Sequence, residues 1–374
     1  MGALKALIVG GGPGGMTASI ALARRGVQCE IVEINRDWQP AGIGIGLQSA
    51  PLRALKSLDL LEPLVEVGRP HEGIDMLLAD GTQIGVMPQV NVNEPDDPPF
   101  ITMSRSALHE VLEQRLRELE VQVRLGVTVS GFDENGDGVR ARFSDGSKRA
   151  YDFVIGADGM HSQTRGMVLP DAPEPEYAGQ VIWRIGVPKP DGLQRYTMMI
   201  AGPTRIGLVP IGHGRLYMWM LDSTLPPERP ARDELLALFQ QRMGAYAGFA
   251  PEVAAQISDP EQVDFRALHW VLVPPPWGAG RVLLLGDAAH TTTPHLAFGV
   301  GLAIEDAVVL ADLVADGCDP RELAARMTER RYERCRLVVD TCLQLSKWEQ
   351  TPGPPNPRAG ELIGATMAAL SEPI

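Results

Sequence analysis

Along the chain, short apolar runs alternate with helix-forming stretches in a strand–helix–strand rhythm. Leu4–Val9 is apolar and partly β-branched, the pattern of a buried strand. A glycine-rich turn, Gly10–Gly15, follows at once. Met16–Arg25 then has the composition of a helix stopped by Gly26, and Val27–Glu33 reads as a second strand. The buried-strand pattern returns at Tyr151–Ile155 and at Arg281–Leu285, the latter leading to a helix from Gly299 to about Ala315. Runs of another kind lie between. Ile74–Met87 reads as two strands about an Asp-Gly turn, and Gly179–Val187, Tyr196–Ile200, Arg205–Pro210, Arg215–Leu221 and Val263–Val273 as further short strands. Two helical stretches close the chain, Arg321–Leu345 and Ala359–Leu370, parted by a proline-rich break at Thr351–Arg358. The pattern predicts an α/β fold in which a Rossmann-like dinucleotide-binding domain (1–72, 100–178 and 276–318) is interleaved with an antiparallel-sheet substrate domain (73–99 and 179–275). Helices from 319 to 374 complete it.

Composition narrows the partners. The 374 residues suit two lobes. Asp and Glu outnumber Lys and Arg by 47 to 34, a formal charge of −13, which argues against nucleic acid or an anionic membrane as partner. No leader segment and no membrane span are expected, because no long uncharged apolar run occurs. Cys29, Cys318, Cys335 and Cys342 form neither a CxxC pair nor a zinc-site spacing, so reduced thiols in a cytoplasmic protein, and no metal, are expected. Cys335 and Cys342 can share a helix face. The basic cluster Arg326–Arg336, broken by Glu329 and Glu333, reads as a solvated helix face.

Candidate chemistry begins at the first turn. Gly10, Gly12 and Gly15 stand at the three positions of GxGxxG. The first permits the tight turn, the second lets a pyrophosphate approach the backbone, and the third brings helix and strand together. Pro13 and Gly14 complete the loop, whose N–H groups face the phosphates. Glu33, ending the second strand, is placed to accept the ribose hydroxyls of an adenosine. This unit binds an adenine dinucleotide without separating FAD from NAD. Two later strands each lead to a glycine-flanked acid: Gly156-Ala157-Asp158-Gly159 with Ser162 and Arg165, and Gly286-Asp287-Ala288-Ala289-His290 with Pro294. The helix opening at Gly299, Val300, Gly301 and Leu302 offers N–H groups that stabilise negative charge.

These three motifs, in this order across nearly the whole chain, resemble the class A flavoprotein monooxygenases, the single-component aromatic hydroxylases of the p-hydroxybenzoate hydroxylase type. The resemblance implies an FAD-binding domain of Rossmann type and a reaction using FAD, with NADH or NADPH as transient electron donor. O2 would then be activated as a flavin C4a-hydroperoxide to hydroxylate a small aromatic or N-heteroaromatic substrate of phenolic or hydroxy-acid type. By the same resemblance Glu33 binds the adenosine ribose, and Asp158 belongs to a motif touching both FAD and NAD(P)H. Asp287 holds the ribityl chain, Pro294 sits where oxygen reacts, and Arg105 of the Ser104–Leu112 stretch contacts FAD. The glycine-spaced run Ala41–Leu47, with Ile45 and Gly46, would lie against the flavin face. One departure stands out: where the family commonly carries Gly-Gln-Gly and an Asn two residues on, this chain has Ala297, Phe298, Gly299 and Gly301.

Substrate contacts are read from residue chemistry. His213 and Tyr217 are candidates for taking a phenolic proton, and His295, after Pro294, for lining the site. Arg205 and Arg184 suit a carboxylate, Trp183 and Phe298 an aromatic wall, and His290 reads as structural. The expected partners are an aromatic substrate and O2, in a monomer or homodimer. The alternative is an FAD monooxygenase or oxidoreductase of the same fold acting on a non-aromatic or polyketide-like substrate. A halogenase is disfavoured because no GWxWxIP-like segment is present.

Overall fold

The computed structural model describes residues 3–40, 42–136, 138–351 and 356–374. Ala41 of the glycine-spaced run and Pro352–Pro355 of the proline-rich break therefore lie outside the described residues.

The apolar runs read as buried strands form one sheet. Lys5–Val9 pairs in parallel with Gln28–Glu33 on one side and Phe153–Gly156 on the other. Gln122–Leu125 and Val282–Leu284 extend the sheet in parallel, and Gly278–Ala279 adds a short antiparallel edge. Buried on both faces, such strands carry continuous apolar side chains, and Ala6, Leu7, Ile8 and Val9 are essentially inaccessible. The first helix spans Pro13–Ala23, one turn earlier than its composition predicts. Proline supports that start, since its fixed φ suits the first helical position and its missing N–H would have no partner there. The helix packs on Gly299–Ala315, whose Leu302, Ile304 and Leu310 are fully buried.

The second sheet has seven strands, in the order Asp264–Leu272, Glu176–Pro188, Arg215–Asp222, Thr204–Ile211, Thr197–Ala201, Gly73–Leu78, Gln83–Pro88. All pairs are antiparallel except that between Thr197–Ala201 and Gly73–Leu78. One face packs on Arg232–Met243 and Ala250–Ala255, two helices the sequence reading did not anticipate, around a core with Trp183, Phe239 and Phe265. The opposite face turns toward the first lobe. A meander of Val129–Asn135, Gly138–Phe143 and Lys148–Tyr151, also unanticipated, backs the parallel sheet through Val139, Ala141 and Phe143.

Leu323–Glu349 crosses both lobes as a single long helix, and Ala359–Ser371 returns along it. Cys335 and Cys342 are both buried on its inner face. The basic cluster is not wholly solvated. Arg326 and Arg336 pair with Glu329 and Glu333 outside, but Arg331 and Arg334 turn inward to Glu305 and Asp306. The inward pair follows the helical repeat, three residues apart on one face.

Candidate active site

The glycine turn is built against the second motif. Gly10 has φ of +106°, and a Cβ there would lie 2.4 Å from the Ala157 carbonyl oxygen. Gly15 is equally constrained, its Cβ position 2.1 Å from Gly10 O. Gly12 differs: its backbone is extended and a Cβ would meet nothing within 4 Å. The fold does not need a glycine there, so the missing side chain leaves room for a group outside the protein. Glu33 accepts hydrogen bonds from Gly11 N (2.8 Å) and from the backbone and side-chain amides of Asn35 (2.8 Å each). Trp38 closes over the turn, its Nε1 donating to Gly11 O at 2.9 Å, a contact without a sequence signal.

The second and third motifs lock together. Asp158 accepts from Ser162 Oγ (2.5 Å), Thr164 N (2.9 Å) and Thr164 Oγ1 (2.9 Å), ordering the turn before helix Gln163–Val168. Buried Arg165 donates to Ala288 O at 3.1 Å, beside Asp287. Behind the third motif, Asp306 accepts from His290 Nε2 (2.7 Å), Gly286 N (3.1 Å) and Arg331 Nε (2.7 Å). All three side chains are inaccessible. Burial alone would raise the Asp306 carboxyl, but His290 and Arg331 hold it down to about 2. His290, Asp306 and Cys335 converge as a metal site would, yet the Asp306 oxygens are already committed to this network.

Between the lobes lies a cavity of about 550 Å³. Its inner end is formed by Gly44–Gly46, Arg105, Arg184, Tyr217 and Asp287. The glycines of strand Gly44–Gln48 admit aromatic rings: Cβ atoms would lie 2.3 Å from Tyr217 at Gly44 and 2.5 Å from Phe100 at Gly46. Pro294, His295, Gly299 and Val300 form one wall, and Phe100, Tyr196, Arg205 and Trp219 another. Burial pushes the Tyr217 hydroxyl up to about 12, against the pull of Arg184 and Arg105, so it is a protonated donor at neutral pH. Asp287 is exposed to the cavity, and the protein packed around that end keeps its carboxyl away from bulk water and raises it, opposed by His290 and Arg105.

The structure brings together Ile45, Gly46, Arg105, Asp287, Pro294, Gly299 and Val300 with Tyr217, Arg205 and His295. Phe298 lies beside them, but its side chain is inaccessible and packs in the core with Leu296 and Leu302, so it is not the aromatic wall the sequence suggests. Others lie elsewhere. His213 is exposed in the turn joining Thr204–Ile211 to Arg215–Asp222, away from the cavity. Trp183 is fully buried on the far face of the sheet, in edge contact with Phe265 at 4.9 Å. The two-residue period explains this, since its neighbours Ile182 and Arg184 line the cavity and Trp183 must point away. Gly301 packs under Pro51, and Leu302 is core, so neither forms the wall.

His295 is not free to act on a ligand. Its Nδ1 contacts Thr293 Oγ1 (2.9 Å) and its Nε2 contacts Glu349 Oε2 (3.2 Å). Burial keeps the ring below the ordinary histidine range despite Glu349. Glu349 also pairs with Arg205 at 2.8 Å, and Arg205 lies over the Trp219 ring at 5.6 Å. Glu349 was not legible in the sequence, being far from both partners along the chain.

A family model described as "FAD binding domain" matches residues 3–341. The chain belongs to the class A FAD-dependent monooxygenases. Within them it is 34% identical over 356 residues to an aurachin C monooxygenase/isomerase of Stigmatella aurantiaca, covering 92% of this chain and 90% of the relative. It is 32% identical over 355 residues to an FAD-dependent urate hydroxylase of Klebsiella oxytoca, covering 92% and 89%. The crystal structure of Klebsiella pneumoniae HpxO complexed with FAD and uric acid superposes with a TM-score of 0.81 at 27% identity, covering 98% of this chain and 92% of the other.

The residues present fit FAD. Gly12 leaves open space at the dinucleotide turn, and Asp287 offers a carboxylate at the cavity's inner end. Arg105 Nε, buried beside it, has no hydrogen-bond partner among the described residues. A buried guanidinium nitrogen left unpaired is costly unless a ligand completes it.

Proposed function

We propose that this chain is an NAD(P)H-dependent FAD monooxygenase that hydroxylates an aromatic or N-heteroaromatic ring. The observation that carries this reading is the cavity between the lobes, lined by Phe100, Tyr196, Tyr217 and Trp219 and reaching Asp287 and Pro294. FAD, reduced by a nicotinamide nucleotide, supplies the activation of O2 and the delivery of one oxygen atom.

In this reading Gly12, Glu33, Arg105, Asp158 and Asp287 belong to the cofactor's binding, with Asp158 acting by ordering its own turn. The aromatic walls hold a flat ring and exclude water, which strengthens polar contacts in the site. Tyr217 donates a hydrogen bond to a ring oxygen or nitrogen, because its raised pKa keeps the proton in place. Arg205, its charge balanced by Glu349 and its guanidinium held over the Trp219 ring, lines the ring site without adding net charge to it. His295 positions Glu349 and does not touch substrate. The relatives' names, which include a urate hydroxylase, support a heteroaromatic ring.

The test is a panel of phenols, hydroxypyridines and hydroxyquinolines added to the purified holoprotein. A matching ring accelerates NAD(P)H and O2 consumption together and yields a hydroxylated product. No stimulation across the panel rejects the aromatic reading in favour of a non-aromatic substrate.

A further inference from the structure

The cavity does not stop at its aromatic walls. Its outer part runs between the segment Met87–Val90 and the last helix, where Gly360, Ile363, Gly364 and Met367 face it. Those positions follow the i, i+3, i+4, i+7 rule, so they form one stripe. Two glycines within a helix destabilise it by about 1 kcal/mol each relative to alanine. Among the described residues nothing fills their place, since Cβ atoms at Gly360 and Gly364 would meet no described atom within 4 Å. The opposite side is apolar as well: Ile74, Met87, Met198 and Val209 belong to one cluster. The stripe from Gly360 to Met367 is about 10 Å long, the reach of an extended chain of roughly eight carbons. At its outer limit the lining includes Val90, which is about half exposed.

Charge points the same way. Three arginines line the cavity, and two are already neutralised, Arg184 by Asp264 and Arg205 by Glu349, both at 2.8 Å. Burial would raise the Glu349 carboxyl, but Arg205 and His295 bring it down to about 2, so the pair persists across working pH. The third, Arg105, sits at the inner end near Asp287. Among the described residues, no unpaired cation waits in the outer part for a substrate carboxylate.

We propose that the substrate is a neutral aromatic ring bearing an apolar chain. The ring lies beside Tyr217 and Trp219, and the chain leaves between Met87–Val90 and the Gly360–Met367 stripe. This rests on the aromatic reading above and departs from the hydroxy-acid expectation.

The experiment titrates the holoprotein with 4-alkylphenols and 2-alkyl-4-hydroxyquinolines, from methyl to heptyl, following the flavin absorbance change, with turnover measured in parallel. The expected result is a Kd that falls about 3- to 4-fold per added methylene. A chain ending in carboxylate should bind at least about tenfold more weakly than its methyl-ended counterpart, because burying an unpaired charge is costly. Gly364→Phe, placed in open space on a helix that gains propensity, should flatten the dependence of log Kd on chain length. Its FAD content and melting temperature report that it folds. If rings bind and are hydroxylated but the native protein shows no chain-length dependence, or prefers ring acids, this inference is overturned and the aromatic reading stands. If no ring perturbs the flavin or is oxidised, the aromatic reading fails and this inference with it.

Discussion

Single residues divide into those the fold needs and those only a ligand needs, and the glycine turn shows both. Gly10 combines positive φ with a carbonyl at 2.4 Å, whereas Gly12 has an ordinary backbone and open space. Gly10→Val should therefore prevent folding. Gly12→Val should leave the melting temperature of the apoprotein unchanged while weakening FAD binding by at least about 100-fold, since a side chain would occupy the pyrophosphate's approach. Fluorimetric titration with FAD measures this, and retained affinity would remove Gly12 from the cofactor site. Tyr217→Phe removes a proton donor without changing ring shape. Hydroxylation should drop by roughly 10- to 100-fold with FAD content unchanged, the loss of one hydrogen bond to a reacting group. An unaltered kcat/KM would exclude that role.

At the level of elements, a side chain's face decides its role. From residue type alone Trp183 reads as an aromatic wall. Its neighbours Ile182 and Arg184 took the cavity face, and strand alternation sent it to the core. Trp183→Ala should cost about 3–5 kcal/mol of stability by leaving a cavity. A urea denaturation curve reads this; a raised KM with normal stability would restore Trp183 to the substrate. His213 failed for a different reason: the hairpin turn between two recognised strands carries it outward. Four of the five parallel strands and the three cofactor motifs were legible because each is a local pattern of apolar residues, glycines and an acid; Gln122–Leu125, with two polar residues in four, was not. Glu349 and the Gly360–Met367 stripe were not, because only the packing of the long helix brings them to the cavity. The last helix did show its apolar spacing, but nothing in the sequence said what it faces.

The whole molecule is tied together by ion pairs that cross between its parts, Arg331–Asp306 fully buried and Arg205–Glu349 partly so. Asp306 and Glu349, both held down to about 2, join the third cofactor motif and the second sheet to the long helix. Their folded pKa values lie below the unfolded values of about 3.9 for Asp and about 4.3 for Glu, so their contribution is full above that range. It is lost as pH falls from about 4 toward about 2. Glu349→Gln should thus be destabilising at pH 7, with the difference from the native chain shrinking toward pH 2. Urea midpoints across pH check the sign, and a difference constant with pH would contradict it.

These same parts converge on one cavity, and the central claim is that a ring bound there receives one atom of O2. The direct measurement is turnover of a stimulating aromatic under 18O2, with NAD(P)H consumption and product mass recorded together. The account predicts one 18O atom per product molecule and one NAD(P)H consumed for each. Product oxygen drawn from water, or NAD(P)H oxidised to give only hydrogen peroxide with every ring tested, would contradict it.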